Sequence, residues 1–406
     1  LRGSTSRWYE QENDGRMSLF KQAIKIFDRV IWKQQTPFDA SVEQQKKFLN
    51  ALPEPMDDID RAYAQYRCQM MLTRRPARLL YQLGAMLLLT VYRRRFRAAA
   101  APERAESCDA VFLFAGDRGI LPDCLCEEYP ALRQIEKFQE HFLLTSDDDA
   151  LLSQMHCRYP TAYFFRFKCM VKLAMYRYLY EAYRPRAFIV SEEYSYTSSV
   201  LTEYCHQLGA EHINVMHGEK LFYIRDSFFR FDRCYIWNEL YRDLFVSLRA
   251  EPTQFCVELP PSLRPWSANG IDKTVDYTYY LQNESEKELG RIAASLHKLQ
   301  AAGYTVAVRP HPLYSDKKAV EGLFADFVIE NCVAIDIKAS ILRTRHVVAR
   351  YSTVLYQAYL NGVSMVIDDI TLPQQYQKLE EMRFFGISVP HLRLGEVLKN
   401  NSPKTA

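Results

Sequence analysis

ProArgAlaPheIleValSer (185–191), GluGluTyrSerTyr (192–196), ThrSerSerValLeuThrGluTyrCysHisGlnLeuGly (197–209) and HisIleAsnValMet (212–216) follow one another almost without a break. The first and last are short apolar runs of the kind that a strand buried on both faces requires. The third carries apolar residues at helical spacing and is closed by Gly209. A strand, a helix and a second strand within about thirty residues make a βαβ unit, because parallel neighbours need a crossover connection. A parallel sheet covered by helices on its faces is therefore expected.

Working outward, the same alternation recurs on both sides. AspAlaValPheLeuPheAla (109–115) reads as a buried strand that runs into GlyAspArgGly, and a long helical stretch covers Thr161 to Tyr183. Pro-rich LeuProProSerLeuArgPro (259–265) reads as a linker. Beyond it, strands are predicted at Tyr277–Gln282, 305–309, 346–350 and 364–368. Helices are predicted at Glu284–Ala302 and 352–362, closed by Gly303 and Gly362. The chain thus predicts an α/β protein with two doubly wound, Rossmann-like domains, 107–258 and 266–395. No repeat of solenoid period interrupts them.

Residues 17–106 read instead as a helical extension, with helical spacing over Ser18–Lys33 and Asp57–Leu72. Leu1–Arg16 is polar and reads as a tag or leader, with Met17 as the native start. Within 74–97, the apolar run Leu79–Tyr92 lies between ArgArgProAlaArg and ArgArgArgPheArg. It is shorter than the roughly 20 residues needed to span a bilayer. Two readings stand side by side: a helix against an anionic membrane surface, or a buried helix with solvated arginine ends. The first implies a cytoplasmic protein peripheral to the inner membrane, and a homodimer is left open.

Composition narrows the function. With 48% hydrophobic and 25% charged residues, the chain of 406 is globular, and a net charge of +3 argues against nucleic acid as partner. Its ten cysteines form neither a CxxC pair nor a zinc-spaced cluster with histidine, so free thiols in a reducing compartment are expected and no metal site is predicted.

In open α/β sheets, ligands bind beyond the carboxyl ends of the strands. Four polar clusters fall at predicted strand exits: Glu192 with Glu193, His217 with Gly218, His311 within Arg309-Pro310-His311-Pro312, and Ser352 with Thr353. The flanking prolines limit the directions open to His311, whose imidazole can give a hydrogen bond or a proton to a phosphate oxygen. Ser352 and Thr353 stand where a helix begins, with hydroxyls and free amides suited to an anion. Two adjacent carboxylates at 192 and 193 would raise each other's pKa, so that either could act as base towards an acceptor hydroxyl. Gly218 lets backbone approach a ligand, and His217 is placed in the cleft. Arg309 or Arg350 would add positive charge. The pair Asp368-Asp369 is the nearest approach to a divalent-ion site.

On His311-Pro312 after a strand, and Ser352-Thr353 about forty residues later, the second half resembles bacterial sialyltransferases and related transferases that use CMP-activated acidic sugars. The resemblance runs from about Arg186 to Ile370. It implies a metal-independent GT-B glycosyltransferase in which His311 assists departure of CMP while Ser352 and Thr353 bind its phosphate. The donor so implied is a CMP-sugar, sialic acid-like or Kdo, and the acceptor a glycan or glycolipid of lipopolysaccharide, capsule or O-antigen. The family's two acids are followed by glycine, whereas here Tyr194 follows Glu192-Glu193. The strand–HisGly step is similar to that of capsule Kdo transferases. The layout also resembles teichoic-acid glycerophosphotransferases that use CDP-glycerol, which leaves that activity, or a non-catalytic capsule-assembly role, as the alternatives. Inversion and retention both stay open.

Overall fold

The computed structural model describes residues 37–137, 141–267 and 270–400. The expected leader, Leu1–Arg16, and the helix over Ser18–Lys33 lie outside them.

Two six-stranded sheets, each parallel throughout, organise the chain. The first contains β1 (Ala110–Leu113), β2 (Leu132–Gln134), β3 (Ala187–Val190), β4 (Glu211–Val215), β5 (Arg233–Ile236) and β6 (Phe255–Val257), in the order β2-β1-β3-β4-β5-β6. The second contains β7 (Val275–Tyr280), β8 (Val306–Arg309), β9 (Val328–Ile329), β10 (Thr344–Ala349), β11 (Ser364–Ile367) and β12 (Leu392–Arg393), in the order β12-β11-β10-β7-β8-β9. Counted from β7, the second order is the Rossmann order 3-2-1-4-5-6, and the first is the flavodoxin-like 2-1-3-4-5 with one further edge strand. The chain therefore has the expected α/β architecture, with two Rossmann-like halves.

The central strands are buried along their whole length: every residue of β1, β3 and β8 is sealed from solvent. This is what helices on both faces demand, and it explains an apolar sequence that only Arg309, at the end of β8, interrupts. The expected Glu284–Ala302 helix spans Glu286–Ala301, with a capping box in which Ser285 and Glu288 exchange hydrogen bonds. The predicted strands are present within a few residues of the expected bounds. The sequence reading missed β2, β5, β6, β9 and β12, which are two to four residues long and too short to show a period.

Helices Val42–Asn50, Asp58–Leu72 and Arg75–Arg97 belong to the extension. The second is fastened to the first sheet: Gln65 Nε2 donates to the carbonyls of Glu193 and Arg225, both at 2.9 Å, and Gln69 Nε2 to that of Tyr194 at 2.5 Å. Among the described residues no helix is long and apolar enough to cross a membrane.

Candidate active site

Each sheet has one point where strand order reverses, and ligands bind at such points. In the first sheet the point lies between β1 and β3, in the second between β7 and β10. Glu192 and Glu193 leave β3 at the former, and Ser352 and Thr353 follow β10 at the latter.

At the first point the two glutamates do not act on each other as expected. Glu192 accepts from Lys172 Nζ at 2.7 and 2.9 Å through its two oxygens, and its amide donates to Asn214 Oδ1 at 2.8 Å. Glu193 turns to a different lysine: it pairs with Lys220 and accepts from Asn214 Nδ2 at 3.3 Å. Burial alone would push the Glu193 carboxyl up, but the Lys220 ammonium outweighs it and the pKa is lowered. The expected mutual rise is thus corrected for Glu193, because a separate cation serves each carboxylate.

His217 leaves the neighbouring strand β4 and meets Phe114, at the exit of β1, edge to face with ring centroids 5.3 Å apart. Solvent reaches the His217 side chain, yet the protein mass around it, and then the Lys220 charge, push its pKa down to about 4. It is neutral at physiological pH and can accept a proton or a hydrogen bond. Gly218 has φ = +73°, and an added Cβ there would meet nothing within 4 Å. Its backbone angle, rather than crowding, is what calls for glycine.

The loop after His217 reaches the other sheet. The Glu219 amide donates to Thr353 Oγ1 at 3.2 Å, and Glu219 Oε1 accepts from the Tyr241 hydroxyl at 2.7 Å. Burial raises the Glu219 pKa to about 8. Trp237 and Tyr241 pack around Tyr356, which packs in turn on Phe385. The exits of β4 and β10 are thereby in direct contact.

On the second sheet, Ser352 caps helix Thr353–Leu360, its hydroxyl accepting from the Val354 amide at 3.4 Å. His311 is held by three local contacts. Its amide donates to Ser315 Oγ at 2.8 Å, its Nδ1 accepts from the Leu313 amide at 3.1 Å, and its ring stacks on Tyr314 at 4.3 Å. Since Nδ1 accepts, the proton of the neutral ring resides on Nε2. Partial burial lowers the His311 pKa, which favours that neutral form. Ser315 Oγ donates to the Gln282 carbonyl at 3.0 Å, and Gln282 Nε2 to the Tyr351 carbonyl at 2.6 Å. Gln282, at the exit of β7, therefore ties the His311 turn to the residue preceding Ser352.

Pro312 is exposed beside His311. Arg309 is buried and committed elsewhere, to Glu330 at 2.9 Å and to the Ile335 carbonyl at 2.9 Å. Arg350 likewise pairs with Glu284 at 2.8 Å and Glu288 at 3.4 Å. Both guanidinium charges are compensated within the protein. Asp368 accepts from the Tyr279 hydroxyl and from the amides of Ile370 and Thr371, while Asp369 accepts from the Gly395 amide. Among the described residues, no three His, Cys, Asp or Glu side chains are grouped to hold a metal.

Sequence reasoning missed Lys172, Lys220 and Gln282. Lys220 stands three residues after His217, but lysines are so often solvated that only its burial reveals the role.

No family model and no curated protein matches this chain. Among solved structures, it is similar to the wall teichoic acid polymerase TagF, with TM-score 0.44 and 11% identity over 81% of this chain and 88% of that one. It is also similar to UDP-GlcNAc 2-epimerase from Neisseria meningitidis bound to UDP-GlcNAc, with TM-score 0.43 and 8% identity over 73% and 90%. The S. aureus MnaA–UDP structure gives TM-score 0.41 and 10% identity over 64% and 78%. At such identities no residue role passes from those proteins to this chain.

Proposed function

We propose that this protein is a glycosyltransferase that moves a CMP-activated 2-keto sugar acid, of the sialic acid or Kdo class, onto a bacterial surface glycan. One observation carries the reading: His311 and Ser352-Thr353 stand on one sheet edge, joined through Gln282, and Thr353 is bonded to the loop that bears His217. The nucleotide phosphate is held by the Thr353 amide, at the start of helix Thr353–Leu360, and by the hydroxyls of Ser352 and Thr353. His311 Nε2–H donates to a phosphate oxygen as the bond from sugar to phosphate breaks, which stabilises the charge that develops there. The acceptor hydroxyl enters from the first sheet, and its proton passes to Glu193 or His217 as the new glycosidic bond forms. Glu192, doubly bonded to Lys172, holds the β3 exit in place. No resident metal or cofactor takes part in these roles.

A donor panel tests the reading. CMP-sialic acid and CMP-Kdo, offered with glycan acceptors, are expected to release CMP with transfer. Turnover of CDP-glycerol alone would move the activity to glycerophosphate transfer, and binding without turnover of any donor would refute an enzyme.

A further inference from the structure

Helix Arg75–Arg97 is built inside out. Its buried residues are Ala77, Ala85 and Phe96, whereas its large aliphatic side chains face water: Leu87 is 70% exposed, Leu79 61% and Val91 59%. At 100° per residue, Leu79, Leu83, Met86, Leu87 and Val91 form a single stripe, about 18 Å long. The opposite face packs on helix Tyr163–Tyr183, where Tyr92 meets Phe167 edge to face at 5.6 Å. The inner contact is therefore already occupied, and the leucines are not waiting for it.

Charge separates the candidates for the outer face. No Asp or Glu occurs from 75 to 97. At one end Arg93 and Arg97 pair with Asp149, and at the other Arg78 donates to the carbonyls of Met71 and Thr73. Arg74, Arg75, Arg94 and Arg95 are exposed, and no ion pair among the described residues engages them. A second copy laid along the stripe would bring arginine against arginine at both ends, in either direction. A layer of anionic headgroups would neutralise all four while the acyl region accepts the leucines.

We propose that this face docks on the surface of an anionic lipid bilayer, with the helix axis in the membrane plane. Its depth is limited to the boundary between headgroups and acyl chains, which suits a helix not long and apolar enough to cross. Only Thr73 and Arg74 separate this helix from Asp58–Leu72, whose Gln65 and Gln69 hold the carbonyls of Glu193 and Tyr194. The bilayer is thus brought to the scaffold of the β3 exit. The docking itself does not depend on the sugar-transfer reading.

Vesicle flotation of the full chain decides the matter, with phosphatidylcholine vesicles containing or lacking phosphatidylglycerol. Binding is expected only with phosphatidylglycerol, and it should weaken as salt rises. Arg94→Gln and Arg95→Gln should each weaken it about fivefold. Leu83→Gln combined with Leu87→Gln, both at exposed positions where folding is unaffected, should weaken it by about a hundredfold. A wild type that ignores phosphatidylglycerol vesicles at low salt would overturn the proposal. So would a dimer in sedimentation, dissociated by the same leucine pair, in a protein that binds no vesicles.

Discussion

The amide of Glu219 donates to the hydroxyl of Thr353 at 3.2 Å, joining the loop after β4 to the helix after β10. The residue proposed to hold a phosphate is thereby also one of the contacts that join the two sheet edges.

Thr353→Val keeps the branched shape and removes the acceptor. It should lower the urea midpoint by the equivalent of about 1 kcal/mol. Ser352→Ala should cost a similar amount, about 1 kcal/mol, by loss of the cap. Both should also reduce the thermal stabilisation given by CMP. A folded Ser352→Ala/Thr353→Ala protein with undiminished CMP affinity would remove the phosphate from this place.

Lys220 and Glu193 form a buried ion pair, so removal of one partner strands the other. Lys220→Met should destabilise by roughly 3–5 kcal/mol, because an uncompensated carboxylate is left in the core. Adding Glu193→Gln to that variant should restore much of the loss in chemical denaturation. If the two effects simply add, the pair is not coupled as described. Because Glu193→Gln alone strands the Lys220 ammonium, transfer is read in the double variant, which should lose transfer while binding CMP as the wild type does.

His311→Ala should reduce kcat by about 10²–10³-fold, the usual consequence of losing a donor to developing charge. The donor KM should move far less, since that bond is made chiefly in the transition state. The neutral ring is the donor and its pKa lies below 6.5, so kcat should show no loss on this account between pH 7 and 8. A folded variant with near wild-type kcat would reduce ProHisPro to a rigid turn.

Glu219 gives a pH signature of its own. Its carboxyl titrates near 8 in the folded protein against 4.5 unfolded, so between those values the folded state retains a proton that the unfolded state has lost. Stability contributed by this residue is therefore full below 4.5 and falls as pH rises to about 8. Glu219→Gln keeps the neutral form at every pH. Its melting temperature should exceed that of the wild type increasingly from pH 5 to pH 8, by up to the equivalent of about 2–4 kcal/mol. A difference independent of pH would show that the carboxyl is ionised in the fold.

Much of this architecture could be read from local pattern. The run 185–216 announced a parallel sheet because buried strands on either side of a helix have few other solutions, and 305–309 ending in ProHisPro marked an exit. What escaped the sequence has a physical reason in each instance. Strand β5 begins with Arg233, an edge-like signal, although it lies between β4 and β6; its guanidinium is drawn outward to Glu128 and Glu211. Arg309 looked like a free cation because its partner Glu330 arrives from twenty-one residues away, after β9. The long-range pairings of Glu192 with Lys172 and Glu193 with Lys220 depend on tertiary placement that no short window contains. For helix Arg75–Arg97 the run of apolar residues was plain, but only packing reveals that the alanines rather than the leucines face inward.

The aromatic seam of Trp237, Tyr241, Tyr356 and Phe385 belongs to one apolar core that continues from the first sheet to Val347 and Ala349 of the second and Leu355 of the helix after β10. Two Rossmann-like halves are often pictured as separable modules on a hinge, each able to stand alone. Here neither half owns all of its interior. Severing the chain within 259–265 would open that seam to water on both fragments, and heating the intact protein should melt both sheets in a single cooperative transition.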